Sequence, residues 1–304
     1  MLLSVVSPVY GAEGIVSELT HQIIKAVSPI SRDFEIILVE DGSPDASWEA
    51  IMQEASVNKC VRGIKLSRNF GQHIAITAGL RSAKGDFIIV MDCDLQDNPY
   101  EIPRLYYKAL QGYDCVIALR TERQDSFLKK ISSQMFYKLF SLLSGIYISH
   151  RVSNFGIYSA KVVRAVLQMG DDERYFPAMV QWVGFRRTYL NVNHSRRFIG
   201  KSSYNYARLL KLASNNIISF SNKPLKITAF LGLILSGLSF LTAVIYLYFA
   251  LAGILVVSGF ASIIISIYLI GGIIIFALGL VGVYLSKTFS KVKSRPLYYI
   301  DTTT

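Results

Sequence analysis

The stretch at positions 88–97 reads Ile88-Ile89-Val90-Met91-Asp92-Cys93-Asp94-Leu95-Gln96-Asp97, an apolar run that ends abruptly in acidic residues. This pattern predicts a buried strand that delivers carboxylates to the rim of a sheet. Residues i and i+2 of an extended chain face the same way, so we expect Asp92 and Asp94 to converge, with Gln96 behind them. Two carboxylates and an amide oxygen suit Mg2+ or Mn2+, which can bridge a diphosphate. A strand followed by a solvated acidic turn is the alternative that this triplet leaves open.

Residues 1–120 surround this stretch with apolar runs that alternate with helix-length segments. Such alternation is typical of an α/β fold, a mainly parallel sheet with helices on its faces. Strands are predicted at Leu3–Val9, Phe34–Glu40, Gly63–Leu66, Phe87–Met91 and Cys115–Ala118. Helices are predicted near Gly14–Val27, Ala46–Ala55, His73–Ser82 and Tyr100–Gln111.

Polar residues follow all five predicted strands, and ligands of such sheets bind outside the carboxyl ends of the strands. Besides the acidic stretch, these strand ends are Pro8-Val9-Tyr10-Gly11-Ala12-Glu13, Glu40-Asp41-Gly42-Ser43-Pro44-Asp45, Ser67-Arg68-Asn69-Phe70-Gly71 and Leu119-Arg120-Thr121-Glu122-Arg123. Asp41 is expected to accept from a ribose or a base, although an ordinary Asp-Gly-Ser turn explains that segment too. Arg68 is expected to approach a phosphate. Together the strand ends suit a nucleotide diphosphate and its metal.

Sixty consecutive positions, Ile227–Ser286, contain no Asp, Glu, Lys, Arg or His. A helix needs about 20 apolar residues to cross a bilayer, so the segment predicts two membrane spans, near 226–251 and 260–286. Lysines flank the pair on both sides, whereas the connecting turn has none, which places the soluble part and both termini in the cytoplasm. The protein is therefore expected in a membrane, such as the bacterial inner membrane.

Other motif classes are not found in the sequence. There is no G-x-G-x-x-G after the first strand and no P-loop, so a dinucleotide cofactor and a P-loop ATPase are disfavoured. The three cysteines and four histidines are scattered, which argues against structural zinc. The net charge of +11 lies largely beside apolar segments, so an anionic membrane surface and phosphate ligands explain it better than nucleic acid does.

Two segments are predicted to lie at the membrane surface. Residues 126–145 have apolar side chains at spacings of three and four with lysines beside them, a pattern that a core-facing helix shares. Residues 196–224 are basic and aromatic, and Arg197, Lys201 and Ser202 are expected near a lipid phosphate. A plain positive-inside patch is the alternative. The predicted domains are 1–195, 196–224, 225–286 and a tail at 287–304.

With these motifs assembled, the chain resembles the GT-A type family 2 glycosyltransferases over nearly its whole length. It is most similar to polyprenyl-phosphate glycosyltransferases, the group of dolichol-phosphate mannose synthase and the bacterial undecaprenyl-phosphate transferases. The resemblance rests on the five strand ends, on Asp92-Cys93-Asp94-Leu95-Gln96-Asp97-Asn98-Pro99, on Arg197–Tyr204 and on Val292–Tyr298. It implies a metal-dependent, inverting transfer of a hexose-type sugar from a UDP- or GDP-sugar to a polyprenyl phosphate.

The resemblance also implies roles for individual residues. Asp92, Asp94 and Gln96 would hold Mg2+ or Mn2+ and the donor diphosphate. Pro8, Tyr10, Glu13, Asp41 and Arg68 would surround the nucleotide, and Arg120, Arg123, Arg197, Lys201, Ser202 and Tyr204 would bind phosphates. Self-association through the spans or the tail is implied as well.

Three departures from the family pattern stand in the sequence. Gly11-Ala12-Glu13 replaces a shorter Asn-Glu and predicts a longer or looser loop, and Glu40-Asp41 replaces paired aspartates. Asn154 stands where an aspartate is common, and since an amide cannot act as a base, it is expected to hydrogen-bond to sugar or phosphate. Two rival functions remain. A processive polysaccharide synthase lacks support, because Gln181-Trp182 is not followed by the expected motif and two spans cannot enclose a polymer. An inactive nucleotide-sugar-binding scaffold is the other.

Overall fold

The computed structural model describes residues 1–120, 152–172, 174–192, 221, 223–252 and 259–304. They belong to two compact units. The first contains the sheet, which is built from residues before 193 and from the last nine residues, and the second contains the two long apolar helices. The predicted helix at 126–145 and the basic segment at 196–220 lie outside the described residues.

The first unit is an eight-stranded mixed sheet with helices on both faces. Its strands are β1 (Leu3–Val9), β2 (Phe34–Glu40), β3 (Val61–Leu66), β4 (Phe87–Val90), β5 (Cys115–Arg120), β6 (Val152–Ser159), β7 (Arg187–Val192) and β8 (Ile300–Thr303). Their spatial order is β7-β5-β6-β4-β1-β2-β3-β8. Neighbours are parallel except where β6 meets β4 and β5, and where β8 meets β3. The prediction of a mainly parallel α/β sheet is confirmed.

The helices of this unit are α1 (Val16–Val27), α2 (Ser47–Val57), α3 (Gln72–Ser82), α4 (Ile102–Ala109), α5 (Ala160–Gln168) and α6 (Phe176–Trp182), with a 3-10 turn at Pro99–Glu101 before α4. Helices α1, α2 and α4 pack together on one face, whereas α3, α5 and α6 pack on the other. In α1 the buried positions recur at three and four, and burying a side chain such as Leu19 or Ile23 contributes about 1.5–3 kcal/mol. Predicted boundaries agree with these to within a few residues.

Strand β1 lies in the middle of the sheet and is buried along its whole length, which explains its unbroken apolar run. On the face of α3, a Cβ at Gly79 would lie 2.4 Å from Val6 Cγ1, so the helix rests almost directly on the strand. Close helix packing of this kind fixes the height at which α3 begins above the sheet edge. That height matters for the site, because the first residue of α3 contributes to it.

The last residues of the chain form part of this unit, although the sequence indicated only a tail. Strand β8 pairs antiparallel with β3, and Gly63 and Thr304 exchange two hydrogen bonds, N–H to Oγ1 at 2.8 Å and N–H to carbonyl at 3.1 Å. The Ser67 N–H also donates to the Tyr299 carbonyl at 3.0 Å. Strand β8 thereby covers the edge of β3, whose backbone groups would otherwise have no strand partner on that side.

The second unit consists of two helices, α7 (Lys223–Leu251) and α8 (Phe260–Val292). Each contains a stretch that is long and apolar enough to cross a bilayer, Lys223–Thr242 with a mean hydropathy of 1.8 and Leu269–Val292 with 2.4. None of the side chains in these two windows is buried, as expected of helices that face lipid. Helix α8 continues six residues beyond the predicted end at 286.

Candidate active site at the carboxyl edge of the sheet

One edge of the sheet collects the predicted functional segments. Strands β1 to β4 are parallel and end there, and β5 ends there too because it is antiparallel to β6, which is antiparallel to β4. By the same reasoning β6 begins at that edge. The loops after β1 to β4, the end of β5 and the start of β6 therefore lie on one side of the sheet, as expected for a ligand site in such a sheet.

The acidic stretch forms a turn at this edge and is not part of the strand. β4 ends at Val90, one residue earlier than predicted, so the alternation of an extended chain does not orient Asp92 and Asp94. The Gln96 N–H donates to Asp94 Oδ1 at 3.1 Å, and Leu95 has a φ of 57° and a buried side chain. Burial of Leu95 offsets the strain of this left-handed conformation. The turn thus keeps both carboxylates at the edge by a mechanism that the strand argument missed.

Asp92 is held by two side-chain amides. Gln72, the first residue of α3, donates from Nε2 to Asp92 Oδ1 at 2.7 Å, and Asn154 donates from Nδ2 to the same oxygen at 3.3 Å. The register of β4 and β6 brings Asn154 close to the turn, because Val90 pairs with Gly156 and Asn154 lies two residues before Gly156. Sequence reasoning missed Gln72, which it placed one residue before the helix. Its position directly after a strand-end loop was the available signal.

The loops after β1 and β2 are joined by a reciprocal set of hydrogen bonds. Three successive N–H groups donate to side chains of the other loop: Gly11 to Ser43 Oγ at 3.1 Å, Ala12 to Ser47 Oγ at 3.0 Å and Glu13 to Asp45 Oδ2 at 3.2 Å. In return, the Ala46 N–H donates to Glu13 Oε2 at 3.3 Å. The loop with the extra residue is therefore held by four hydrogen bonds, which favours the longer loop over the looser one as the alternative that the sequence offered. A nucleotide contact of Glu13 stays a prediction.

The two acidic residues at the end of β2 are both buried but serve the site differently. Asp41 accepts from the N–H groups of Phe70 and Gly71, at 2.7 and 2.9 Å, and so anchors the loop before α3. Burial raises the pKa of Asp41, against the opposing effect of these hydrogen bonds and of Arg68. Glu40 accepts from the Ser43 N–H with Oε1, while its buried Oε2 has no hydrogen-bond partner among the described residues. A buried carboxylate oxygen requires a donor, and a ligand N–H or hydroxyl is a fitting one.

The other predicted nucleotide residues differ in exposure. Pro8 is buried within β1, whereas Tyr10 is 54% exposed at its end. Burial raises the pKa of the Cys93 thiol in the acidic turn to about 12. Arg68 is exposed, with its guanidinium 4.1 Å from the centroid of the Phe70 ring. Its charge is thus available to a phosphate at the edge.

The remaining predicted phosphate-binding residues begin at the end of β5. Arg120 ends β5 at the correct edge, but only its backbone is described. The remaining ones lie outside the described residues: Arg123, Arg197, Lys201, Ser202 and Tyr204. Their roles stay predictions.

The donor set at the edge is compatible with a hard divalent cation. Within the described ranges, no three His, Cys, Asp or Glu side chains are grouped to hold a metal ion. Mg2+ usually binds one or two carboxylates and completes its shell with water and substrate phosphates, so Asp92 and Asp94 with an oxygen of Gln96 are a sufficient protein contribution. The chemistry of these oxygen donors therefore fits Mg2+ or Mn2+ when a diphosphate is present.

His73 follows Gln72 on α3 and lies under the edge. Its ring meets the Tyr175 ring edge-on at 5.0 Å between centroids, and its Nδ1 is buried without a hydrogen-bond partner in the described part of the chain. Burial lowers the pKa of His73 to about 4, so the imidazole is neutral near pH 7. The buried Arg174 donates to the Val166 and Met169 carbonyls at the end of α5, at 3.0 and 2.6 Å. These contacts fix the segment before α6 against the start of α3.

The chain was compared with known protein families, curated proteins and solved structures. The model of glycosyl transferase family 2 matches residues 4–167. An uncharacterized glycosyltransferase of Synechocystis sp. is 35% identical over 98% of this chain and 94% of its own length. The undecaprenyl-phosphate 4-deoxy-4-formamido-L-arabinose transferase of Aeromonas hydrophila is 33% identical over 98% and 93%. A crystal structure of a mycobacterial protein is similar in fold, with a TM-score of 0.51 at 15% identity over 72% of this chain and 73% of that one. The chain therefore belongs to glycosyltransferase family 2 and has its GT-A fold, as the resemblance of its motifs implied.

Proposed function

We propose that this glycosyltransferase moves a hexose-type sugar from a UDP- or GDP-sugar to a polyprenyl phosphate such as undecaprenyl phosphate, with inversion at the anomeric carbon. The observation that carries the proposal is the pair of neutral amides on Asp92. It keeps a carboxylate of the acidic turn in a fixed orientation at the edge where the loops after β1, β2 and β3 also lie. The relatives named as undecaprenyl-phosphate transferases, similar over nearly the whole chain, support the lipid acceptor.

The nucleotide is expected to bind against the loops after β1, β2 and β3. Uracil and guanine both present ring N–H donors, which a carboxylate can accept. Hydrogen bonds between the two loops at 11–13 and 43–47 keep that part of the pocket rigid before the nucleotide binds. A preformed pocket loses less conformational entropy on binding.

The diphosphate is expected at the acidic turn, where Asp92, Asp94 and Gln96 would hold Mg2+ or Mn2+. The metal would neutralise charge on the departing diphosphate. Arg68, whose guanidinium is exposed at the same edge, adds a second cation for these phosphates. We also assign phosphate binding to Arg120, the last residue of β5, and to Arg123.

The acceptor requires little chemical help from the protein. A phosphate monoester is largely ionised near neutral pH, so its oxygen can attack the anomeric carbon without a strong base. Asn154 fits this mechanism, because its amide cannot remove a proton and its Nδ2 is directed at Asp92. A single displacement from the face opposite the leaving group inverts the anomeric configuration.

The acceptor lipid is expected to reach the edge from the cytoplasmic leaflet. Helices α7 and α8 would form the membrane hairpin. Lys223, Lys226 and the basic residues after position 286 favour a cytoplasmic location for both flanks. Arg197, Lys201, Ser202 and Tyr204 would bind the lipid phosphate, with 126–145 and 196–224 at the interface. The same hairpin or the segment 287–304 would mediate self-association.

A transfer assay tests the proposal. The full chain in detergent is given a panel of radiolabelled UDP- and GDP-sugars, Mg2+ or Mn2+, and undecaprenyl phosphate, and the product is extracted into organic solvent. We expect one donor to yield labelled lipid, and Asp94→Asn to abolish the metal-dependent transfer while the protein still unfolds cooperatively. Nucleotide binding without turnover for any donor would instead identify an inactive scaffold. Full activity of Asp94→Asn would show that the metal site is wrong.

A further inference from the structure

Gln72 lies at the junction of two anchored segments. Its Nε2 is 2.7 Å from Asp92 Oδ1, and the two residues directly before it, Phe70 and Gly71, donate their N–H groups to Asp41. Gln72 is also the first residue of α3, which packs closely on β1. Its side chain therefore extends from a backbone that is fixed on both sides, so its amide has a defined position relative to the acidic turn.

Asn154 provides a second amide to the same carboxylate oxygen. It comes from β6, whereas Gln72 comes from α3, so two elements on different sides of the acidic turn converge on Asp92 Oδ1. Two donors from fixed directions restrict rotation of the carboxylate about its last bond, which a single donor does not. Both donors are uncharged, so they orient Asp92 without neutralising it.

We propose that Gln72 is a positioning residue that, together with Asn154, sets the orientation in which Asp92 binds the divalent metal. The inference rests on the metal-dependent function proposed above. Groups that hydrogen-bond to metal ligands orient them, and their removal typically weakens metal binding about 10-fold to 100-fold. The neutral charge of Gln72 matters too. Glu at this position would bring a second carboxylate to hydrogen-bond distance of Asp92 and replace a donor with an acceptor.

The test is a direct measurement of Mn2+ binding by electron paramagnetic resonance, on the full chain in detergent with UDP present. Gln72→Met keeps the length of the side chain and removes the hydrogen-bond donor. Gln72→Glu keeps the shape of the side chain and replaces the donor with an acceptor. The matched control is Gln22→Met, because Gln22 Nε2 also donates to a carboxylate, Glu18 Oε1 at 2.6 Å, on the surface of α1 away from the edge.

We expect Gln72→Met to weaken Mn2+ binding at least about 10-fold, Gln72→Glu to weaken it further, and Gln22→Met to leave it unchanged. Asn154→Ala should weaken it as well, and the double variant with Gln72→Met should lose less than the product of the two effects, because both amides act on one oxygen. Thermal unfolding without metal shows whether each variant is folded. A residue that only stabilises the fold would lower the unfolding midpoint and leave metal affinity unchanged.

The outcomes separate this inference from the function it rests on. If the wild-type protein binds Mn2+ and both Gln72 variants bind it equally well, the inference is wrong and the proposed function stands. If the wild-type protein binds no Mn2+ in the presence of UDP, the metal part of the proposed function fails and the inference fails with it.

Discussion

Gly42 lies so close to Asn69 that a Cβ on residue 42 would be 2.3 Å from the Asn69 backbone nitrogen. It would also be 2.5 Å from the carbonyl carbon of Arg68. The loop after β2 therefore packs backbone to backbone against the loop after β3, next to the point where Asp41 binds the Phe70 and Gly71 N–H groups. This contact holds together two of the strand ends that form the site.

Gly42→Ala should destabilise the protein more than Gly11→Ala does. Both glycines have a φ of 63°, but a Cβ at Gly11 would meet nothing within 4 Å. We expect a cost of about 1 kcal/mol at Gly11, from backbone conformation alone, and about 2–5 kcal/mol at Gly42, where overpacking adds to it. Thermal unfolding followed by tryptophan fluorescence gives the comparison, and equal midpoints for the two variants would contradict the close approach.

Asp41→Asn should loosen the loop that leads to Gln72. The amide can accept one N–H with its oxygen but presents its NH2 group to the other, so one of the two hydrogen bonds is lost in a buried position. We expect a loss of about 1–3 kcal/mol in unfolding free energy and faster hydrogen exchange at Phe70 and Gly71. Asp33→Asn, an exposed carboxylate, is the control, and unchanged exchange at both amides would refute the anchor.

Asp45→Ala should loosen the loop after β1, because it removes the acceptor of the Glu13 N–H. Asp45 accepts from the N–H of Glu13 and from the N–H and hydroxyl of Ser47. We expect hydrogen exchange across residues 11–13 to become at least about 10-fold faster, which corresponds to about 1.4 kcal/mol. Ser56→Ala, at the end of α2, is the control for the loss of a polar side chain elsewhere on the surface. Equal hydrogen-exchange protection of residues 11–13 in both variants would show that Asp45 does not hold the loop.

The same carboxylate carries a pH dependence. Burial raises the pKa of Asp45, but the hydrogen bonds from Ser47 and from the Glu13 N–H outweigh it, so the pKa lies below its usual value of 3.8. A carboxyl group with a lowered folded pKa stabilises the protein above its unfolded pKa and loses this effect as the pH falls through the folded value. Exchange at residues 11–13 should therefore stay slow at pH 5, and acceleration beyond the intrinsic rate should appear only below about pH 4.

His73 should make the protein less stable in mild acid. Burial lowers its pKa from 6.5 to about 4, so between these values the unfolded chain binds more protons than the folded chain, and stability falls as the pH falls through this window. Once the pH has fallen to the folded pKa of His73, the loss of unfolding free energy is on the order of 3 kcal/mol. His73→Phe keeps a ring against Tyr175 and removes the titration, so its stability should change less between pH 7 and pH 4. His21→Phe, at an exposed position on α1, should keep the wild-type pH profile.

Much of the architecture followed from local patterns. The apolar runs of β1 and β2 match the structure residue for residue, and α1 to α4 begin or end within a few residues of their predicted limits, because buried strands and amphipathic helices have a direct signature in sequence. Strands β6, β7 and β8 were not predicted. Their places in the sheet depend on pairing with β3, β4 and β5, which are distant in sequence.

The predicted strand-end residues lie at the expected edge of the sheet, but their contacts differ from those predicted. Asp92 and Asp94 do lie at the carboxyl edge, but in a turn stabilised by the buried Leu95 and not at the end of a strand. Asp41 and Glu13, predicted as ligand contacts, have their carboxylates engaged by backbone N–H groups of other loops. Such contacts depend on which loops become neighbours when the sheet forms.

The sequence by itself determined the chemistry that this protein has available: a mainly parallel sheet whose strands are followed by polar residues, a pair of carboxylates directly after a buried apolar run, and two helices long and apolar enough to cross a bilayer. These properties reside in single segments, where side-chain period and charge decide the outcome. Only the tertiary structure decided that Gln72 and Asn154, 82 positions apart in the chain numbering, meet at one oxygen of Asp92. That meeting depends on an antiparallel strand register and on the height of a helix above the sheet, and packing sets both.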